Sequence, residues 1–210
     1  MKHKLQAMLG IVLSLFIVIG VHGEVIIPIR VSPQFDYIKN ESIKLLSNYA
    51  TNMYSMGRLS LPHNRMLPFK CMLRNVYMES RGEDISGKLK VASVVINRVH
   101  NKNYPSKICN VIYQPHQFSW TDNKKLIAHY KSVMSSHKKI DDKELKGSIW
   151  VAFYVVVFHG RLNTPATSYY APAGVKSKPH WVLSKEFIFV ERYGNHLFYI
   201  LNDDTSSLQA

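Results

Sequence analysis

The residue best suited to proton transfer is Glu79, in the stretch Cys71-Met72-Leu73-Arg74-Asn75-Val76-Tyr77-Met78-Glu79-Ser80-Arg81-Gly82-Glu83. Met72, Val76 and Glu79 fall at helical spacing on one face, so an apolar stripe runs directly into a carboxylate. Gly82 can take positive φ and end the helix. A carboxyl at the edge of an apolar face is partly desolvated, which favours its protonated form. A general acid working near neutral pH needs that form. The plain alternative is a helix-end surface acid paired with Lys or Arg, since exposed acids are the rule. Glu83 is a second carboxyl, but beyond Gly82 the helix no longer sets its direction. Capping, or pairing with Arg81, is its ordinary role, and Glu83 and Arg81 stand as supporting candidates.

A second kind of chemistry is carried by Val111-Ile112-Tyr113-Gln114-Pro115-His116-Gln117-Phe118-Ser119-Trp120. Aromatic rings alternate there with amides and hydroxyls and follow no helical period. Flat rings can stack on sugars while amides and hydroxyls bond sugar hydroxyls. A loop pinned by core aromatics fits the same residues. The proline-bracketed Pro165-Ala166-Thr167-Ser168-Tyr169-Tyr170-Ala171-Pro172 reads as a cleft wall.

Helices must position these groups. Phe35 to Tyr54 shows amphipathic helical spacing. Gly57 to Pro68, with its glycine and prolines, reads as a linker, and a domain boundary is placed at its end. A helix over Phe69–Ser80 carries Glu79. A second, over Gly87–Val99, is apolar around most of its girth and belongs at the centre of the core, with Asp84 or Ser86 as its cap. Its run Val94-Val95-Ile96 suits a strand equally well by propensity. Asn101 to Asn110 reads as a loop. Asp122 to His137 reads as a basic surface helix, and Asp141 to Gly160 as a long helix with a buried stripe. Phe187–Arg192 and His196–Ile200 read as strands joined by the hairpin turn Tyr193-Gly194-Asn195.

The 210-residue chain is 46% hydrophobic and 20% charged, which excludes wholesale disorder. Its net charge of +13 favours polyanionic partners: nucleic acid, anionic membrane or anionic wall polymer. Lys2 and Lys4 precede an apolar run from Leu9 through Val21, the form of a secretory leader over residues 1–23. An uncleaved membrane anchor is its rival, and the run is short for a span. Export permits a disulfide, and the two cysteines, Cys71 and Cys109, allow a single intramolecular bond. Two free buried thiols are the alternative. The expected division is leader or anchor 1–23, arm, helix and linker 24–68, main domain 69–201 and polar tail 202–210.

The ordered series of motifs resembles the SleB/CwlJ-type cell-wall hydrolases. It comprises Tyr77 through Glu83, Gly87 with Val91-Ala92 and Val94 through Val99, Tyr104-Pro105, and Cys109 with Val111 through Gln114. Gln117 through Trp120, Ala166-Thr167 with Tyr169, and Gly194, His196 and Phe198-Tyr199 complete it. Met78, Ser80, Ser168 and Tyr170 depart from residues common in that family. The resemblance implies an α+β, mainly α, lysozyme-like helical domain with a small β element. It implies cleavage of peptidoglycan glycan strands at muramic acid, often as a lytic transglycosylase, with Glu79 as the catalytic acid and base. Gln117, Ser119, Trp120, Thr167 and Tyr169 would hold the sugars.

No cofactor or metal is called for: the ten histidines include no HExxH-type pair, which disfavours a zinc amidase. The expected partner is peptidoglycan, an anionic wall polymer, reached by an exported protein in periplasm, cell wall or medium. Membrane contact is expected only through an uncleaved N-terminal segment, and the sequence does not define an oligomeric state. A non-catalytic wall-binding module is the rival reading, distinguished by a lysis assay. An exported nucleic-acid binder is a further rival, but the motifs of one are missing.

Overall fold

Apolar residues at helical spacing account for most of the regular structure. The computed structural model describes residues 33–135 and 142–202, with side chains from residue 40 onward. The expected leader, the arm after it and most of the tail lie outside the described residues. The chain divides into two units, Met1–Asp36 and Tyr37–Ala210, and the packing described below is within the second.

Among the described residues there are six α-helices and one three-stranded antiparallel sheet, so the α+β, mainly α, class is the one found. Helix α1 (Pro33–Ser55) follows the expected span, and its Ile43 and Ala50 enter the main core. Helix α2 (His63–Glu79) begins inside the segment expected to be a linker and contains Pro68. That proline lies near the helix start, where its missing N–H leaves only the carbonyl of exposed Asn64 to solvent. Phe69, Met72, Leu73 and Val76 of α2 are at 0% exposure and form the middle of the core.

Helix α3 (Ile85–His100) settles the helix-or-strand ambiguity in favour of helix. Asp84 is the cap, accepting from the Gly87 N–H at 2.8 Å. A short helix α4 (Ile108–Ile112) replaces the end of an expected loop, and the expected Cys71–Cys109 disulfide joins it to α2 with Cα atoms 5.5 Å apart. Helix α5 (Lys124–Ser135) is the basic surface helix. Helix α6 (Lys143–Ala152) is capped by Asp142 and continues as a π turn over Phe153–Val157. No helix of the described residues is long and apolar enough to cross a membrane.

Strands β2 (Phe187–Tyr193) and β3 (His196–Leu201) are the expected hairpin, turning at Gly194 with φ 52°. The sheet order is β1-β3-β2, the first strand being β1 (Ser168–Tyr170) from the expected cleft wall. Tyr169 pairs with Phe198 across β1 and β3. Phe198 packs with Val91, Val94 and Ala166, which seats the sheet on α3.

Candidate active site

Glu79 is the last residue of α2, and Met72 and Val76 beneath it are sealed from solvent. Its carboxyl is partly buried and accepts a hydrogen bond at 3.2 Å from the hydroxyl of Tyr169 on β1. Burial raises the carboxyl from the ordinary 4.5 to about 7, against the Tyr169 bond, which favours the charged form. Burial also pushes the Tyr169 hydroxyl well above its usual range, so it stays protonated and donates. The pair can therefore hold a proton near neutral pH and stabilise the carboxylate left when that proton departs.

The turn after Glu79 is tied down on two sides. Lys88, 2% exposed, donates to the Ser80 carbonyl and to Glu144 Oε2, both at 2.6 Å. The Gly82 N–H donates to the same Glu144 oxygen at 3.0 Å. Partial burial alone would raise the Glu144 carboxyl, but Lys88 and Gly82 hold it below the usual range. On the other side, Glu83 turns away from Arg81 and into the hairpin. Its Oε1 accepts from the Asn195 N–H at 3.0 Å and from Asn195 Nδ2 at 3.1 Å, and lies 3.4 Å from His196 Nδ1. A Cβ on Gly194 would meet Glu83 Oε2 at 1.9 Å, so glycine is required there for space as well as for its positive φ. Tyr193 adds a 2.8 Å bond from its hydroxyl to Asp84.

His196 closes the circuit back to Glu79. Its ring stands edge-on to Tyr169 at 5.2 Å. Burial lowers its pKa, while Glu83 and the backbone carbonyl of Glu79 pull the other way. A proton on Nδ1 suits the facing Glu83 oxygen, which accepts its other bonds as well.

The other sugar-binding candidates separate into two groups. Gln117 and Ser119 are exposed. Trp120 is not open to a sugar: it is 1% exposed, inside the core, and its indole N–H bonds Asn75 Oδ1 at 3.0 Å. Thr167 is likewise 3% exposed, with its hydroxyl accepting from the Leu201 N–H at 3.2 Å. Both expectations of direct contact are corrected, because each polar group is spent on fixing the fold. Arg81 is exposed and lies over the Tyr77 ring. Sequence reasoning passed over Arg98, which bonds the Thr167 carbonyl at 2.6 Å and Gln117 Oε1 at 2.8 Å. The available signal was an arginine in the last turn of a helix, directly after the apolar run Val94-Val95-Ile96 and Asn97.

Residues 82–199 match the family model described as cell wall hydrolase, starting just past Glu79. The spore cortex-lytic enzyme of Bacillus cereus is 42% identical over 48 residues, 23% of this chain and 18% of that protein. That of Bacillus subtilis is 32% identical over 50 residues, 24% of this chain and 16% of that protein. Each match thus spans less than a fifth of the curated relative's length. The crystal structure of the catalytic domain of the Bacillus cereus SleB protein is similar with a TM-score of 0.44 and 26% identity, covering 63% of this chain and 89% of that one. With more than half of its residues inside the family match, the chain belongs to the cell wall hydrolase family.

Proposed function

We propose that this chain cleaves the glycan strand of peptidoglycan at muramic acid, as a lytic transglycosylase with Glu79 as acid and then base. The observation that carries the reading is the Glu79 carboxyl, at the end of an apolar helical face, protonated up to about pH 7 and bonded by Tyr169. Family membership and the spore cortex-lytic relatives support the substrate class.

Glu79 gives its proton to the glycosidic oxygen as the bond to the anomeric carbon breaks, and the bonding pair leaves with that oxygen. Positive charge develops on the sugar in an oxocarbenium-like state. The new carboxylate is stabilised by the Tyr169 hydroxyl. It then takes the proton of the sugar's own primary hydroxyl as that oxygen closes an anhydro ring. One carboxyl serves both steps and no water is consumed. Exposed Gln117 and Ser119 contact the sugars, and Trp120 and Thr167 hold the walls. The helical domain that carries Glu79 is exported behind a leader or anchor over 1–23. The +13 charge draws it to an anionic wall, so binding to sacculi weakens as salt rises.

The test is digestion of purified sacculi by the full chain and by E79Q, with mass spectrometry of released muropeptides. Anhydro ends from the wild type and none from E79Q are expected. Reducing ends, heavier by one water, would make the enzyme a hydrolytic muramidase instead. Full activity in E79Q removes Glu79 from the role. Binding without any release by the wild type leaves the non-catalytic wall-binding module.

A further inference from the structure

Three cations on α3 are buried, and they are not treated alike. Lys88 is paired with Glu144 at 2.6 Å and Lys90 with Glu191 at 2.9 Å. Arg98, 6% exposed, has no carboxylate within ion-pair distance among the described residues. Neutral groups hold it instead. Its Nε donates to the Thr167 carbonyl at 2.6 Å and its Nη1 to Gln117 Oε1 at 2.8 Å. The rings of Tyr104 and Phe118 lie 5.3 and 5.6 Å from the guanidinium carbon. The negative end of the α3 dipole adds a further favourable field. Burying a cation without a counter-ion is costly, and breaking even with neutral acceptors demands a reason for keeping the charge.

We propose that Arg98 is a positioning residue for the Glu79 acid. Its two hydrogen bonds fix the strand carrying Tyr169 to the loop carrying Gln117, and its unneutralised charge polarises the Tyr169 hydroxyl that bonds Glu79. The charge counts most after proton delivery, when Glu79 is a carboxylate and Tyr169 must donate strongly. A carboxylate partner for Arg98 would cancel that field, which accounts for neutral acceptors. Arg98 opposes the burial that raises the Tyr169 hydroxyl. The charged and titratable groups around this axis are Glu79, Arg98 and His196 against Tyr169, Tyr104 beside Arg98, and Glu83 behind His196.

The proposal rests on Glu79 being the acid, and the two are tested separately. Sacculus digestion by the wild type tests the activity. The midpoint of the Glu79 carboxyl, followed by carbon-13 NMR, tests Arg98 whether or not the chain lyses walls. In R98Q the midpoint rises, the alkaline limb of lysis moves up with it, and the rate at the optimum falls about threefold. R98K keeps the charge and loses the planar fork. Its midpoint stays at the wild-type value while KM rises, because Gln117 is released. In a Y169F background, R98Q moves the midpoint no further. Equal losses in R98Q and R98K with an unmoved Glu79 midpoint would reduce Arg98 to a brace and overturn the proposal. Should R98Q fail to fold, Y169F and R98K carry the test: Y169F must raise the midpoint, and an unmoved one overturns the proposal.

Discussion

Glu79 and Glu83 flank one turn, and the fold gives them different surroundings. Glu79 ends a helix over sealed apolar side chains and receives one side-chain hydrogen bond, from Tyr169. Glu83 is 8% exposed and takes two donors from Asn195, with His196 beside it and glycine on both flanks. A carboxyl with few donors keeps its proton; one surrounded by donors is a fastener. The difference teaches that burial alone does not mark a catalytic acid. On the proposed function, what sets Glu79 apart is burial with its hydrogen-bonding capacity left unfilled.

The largest expected break in this comparison is in activity. E79Q should lower lysis of sacculi by roughly 10³-fold while leaving the fold intact, whereas E83Q should retain most of the rate. Release of muropeptides by the two variants, measured side by side, checks this.

Next in size is a pH-dependent stability. Folding raises Glu79 from the ordinary 4.5 to about 7, so the folded chain binds its proton more tightly. That contribution is complete below about pH 4.5 and is lost as pH rises through 7. The loss is limited to ~3 kcal/mol above pH 7. E79Q has no proton to lose there and should become the more stable protein. Denaturant melts of both at pH 5 and pH 9, about two units below and above the midpoint, would show it. Equal stability at both pH values would place the carboxyl in water.

E83A should cost about 2–3 kcal/mol by chemical denaturation, because the Asn195 and His196 donors lose their acceptor. G194A attacks the same lock from the other side and should cost about 2 kcal/mol, since a Cβ there would meet Glu83 at 1.9 Å. The smallest effect is Y169F, which should slow lysis several-fold, by about 1 kcal/mol, and move its alkaline limb upward.

Much of this frame was legible in the chain, and particular residues show where legibility stopped. Apolar periodicity located α1 and α3, Asp84 was one of two residues offered as the cap of α3, and Tyr193-Gly194-Asn195 announced the hairpin. Glu79 was legible because the face leading to it is local. Strand β1 is too short to show a period, and only its partner β3 makes it a strand. Trp120 misled because an aromatic among polar residues looks like a sugar platform. Its bond to Asn75 spans 45 positions and leaves no local trace. Lys88 and Lys90 sat within an apolar helix whose acids, Glu144 and Glu191, lie 56 and 101 positions away. Glu83 likewise depends on a turn 112 positions on, which no helix-based reading of its own neighbourhood supplies.

The most direct measurement is a carbon-13 NMR titration of the Glu79 side-chain carboxyl in the full chain, without substrate. A midpoint near 7 is the expected result, with the alkaline limb of lysis following it. A midpoint near the ordinary 4.5 would contradict the central claim, because Glu79 would then carry no proton to give at neutral pH.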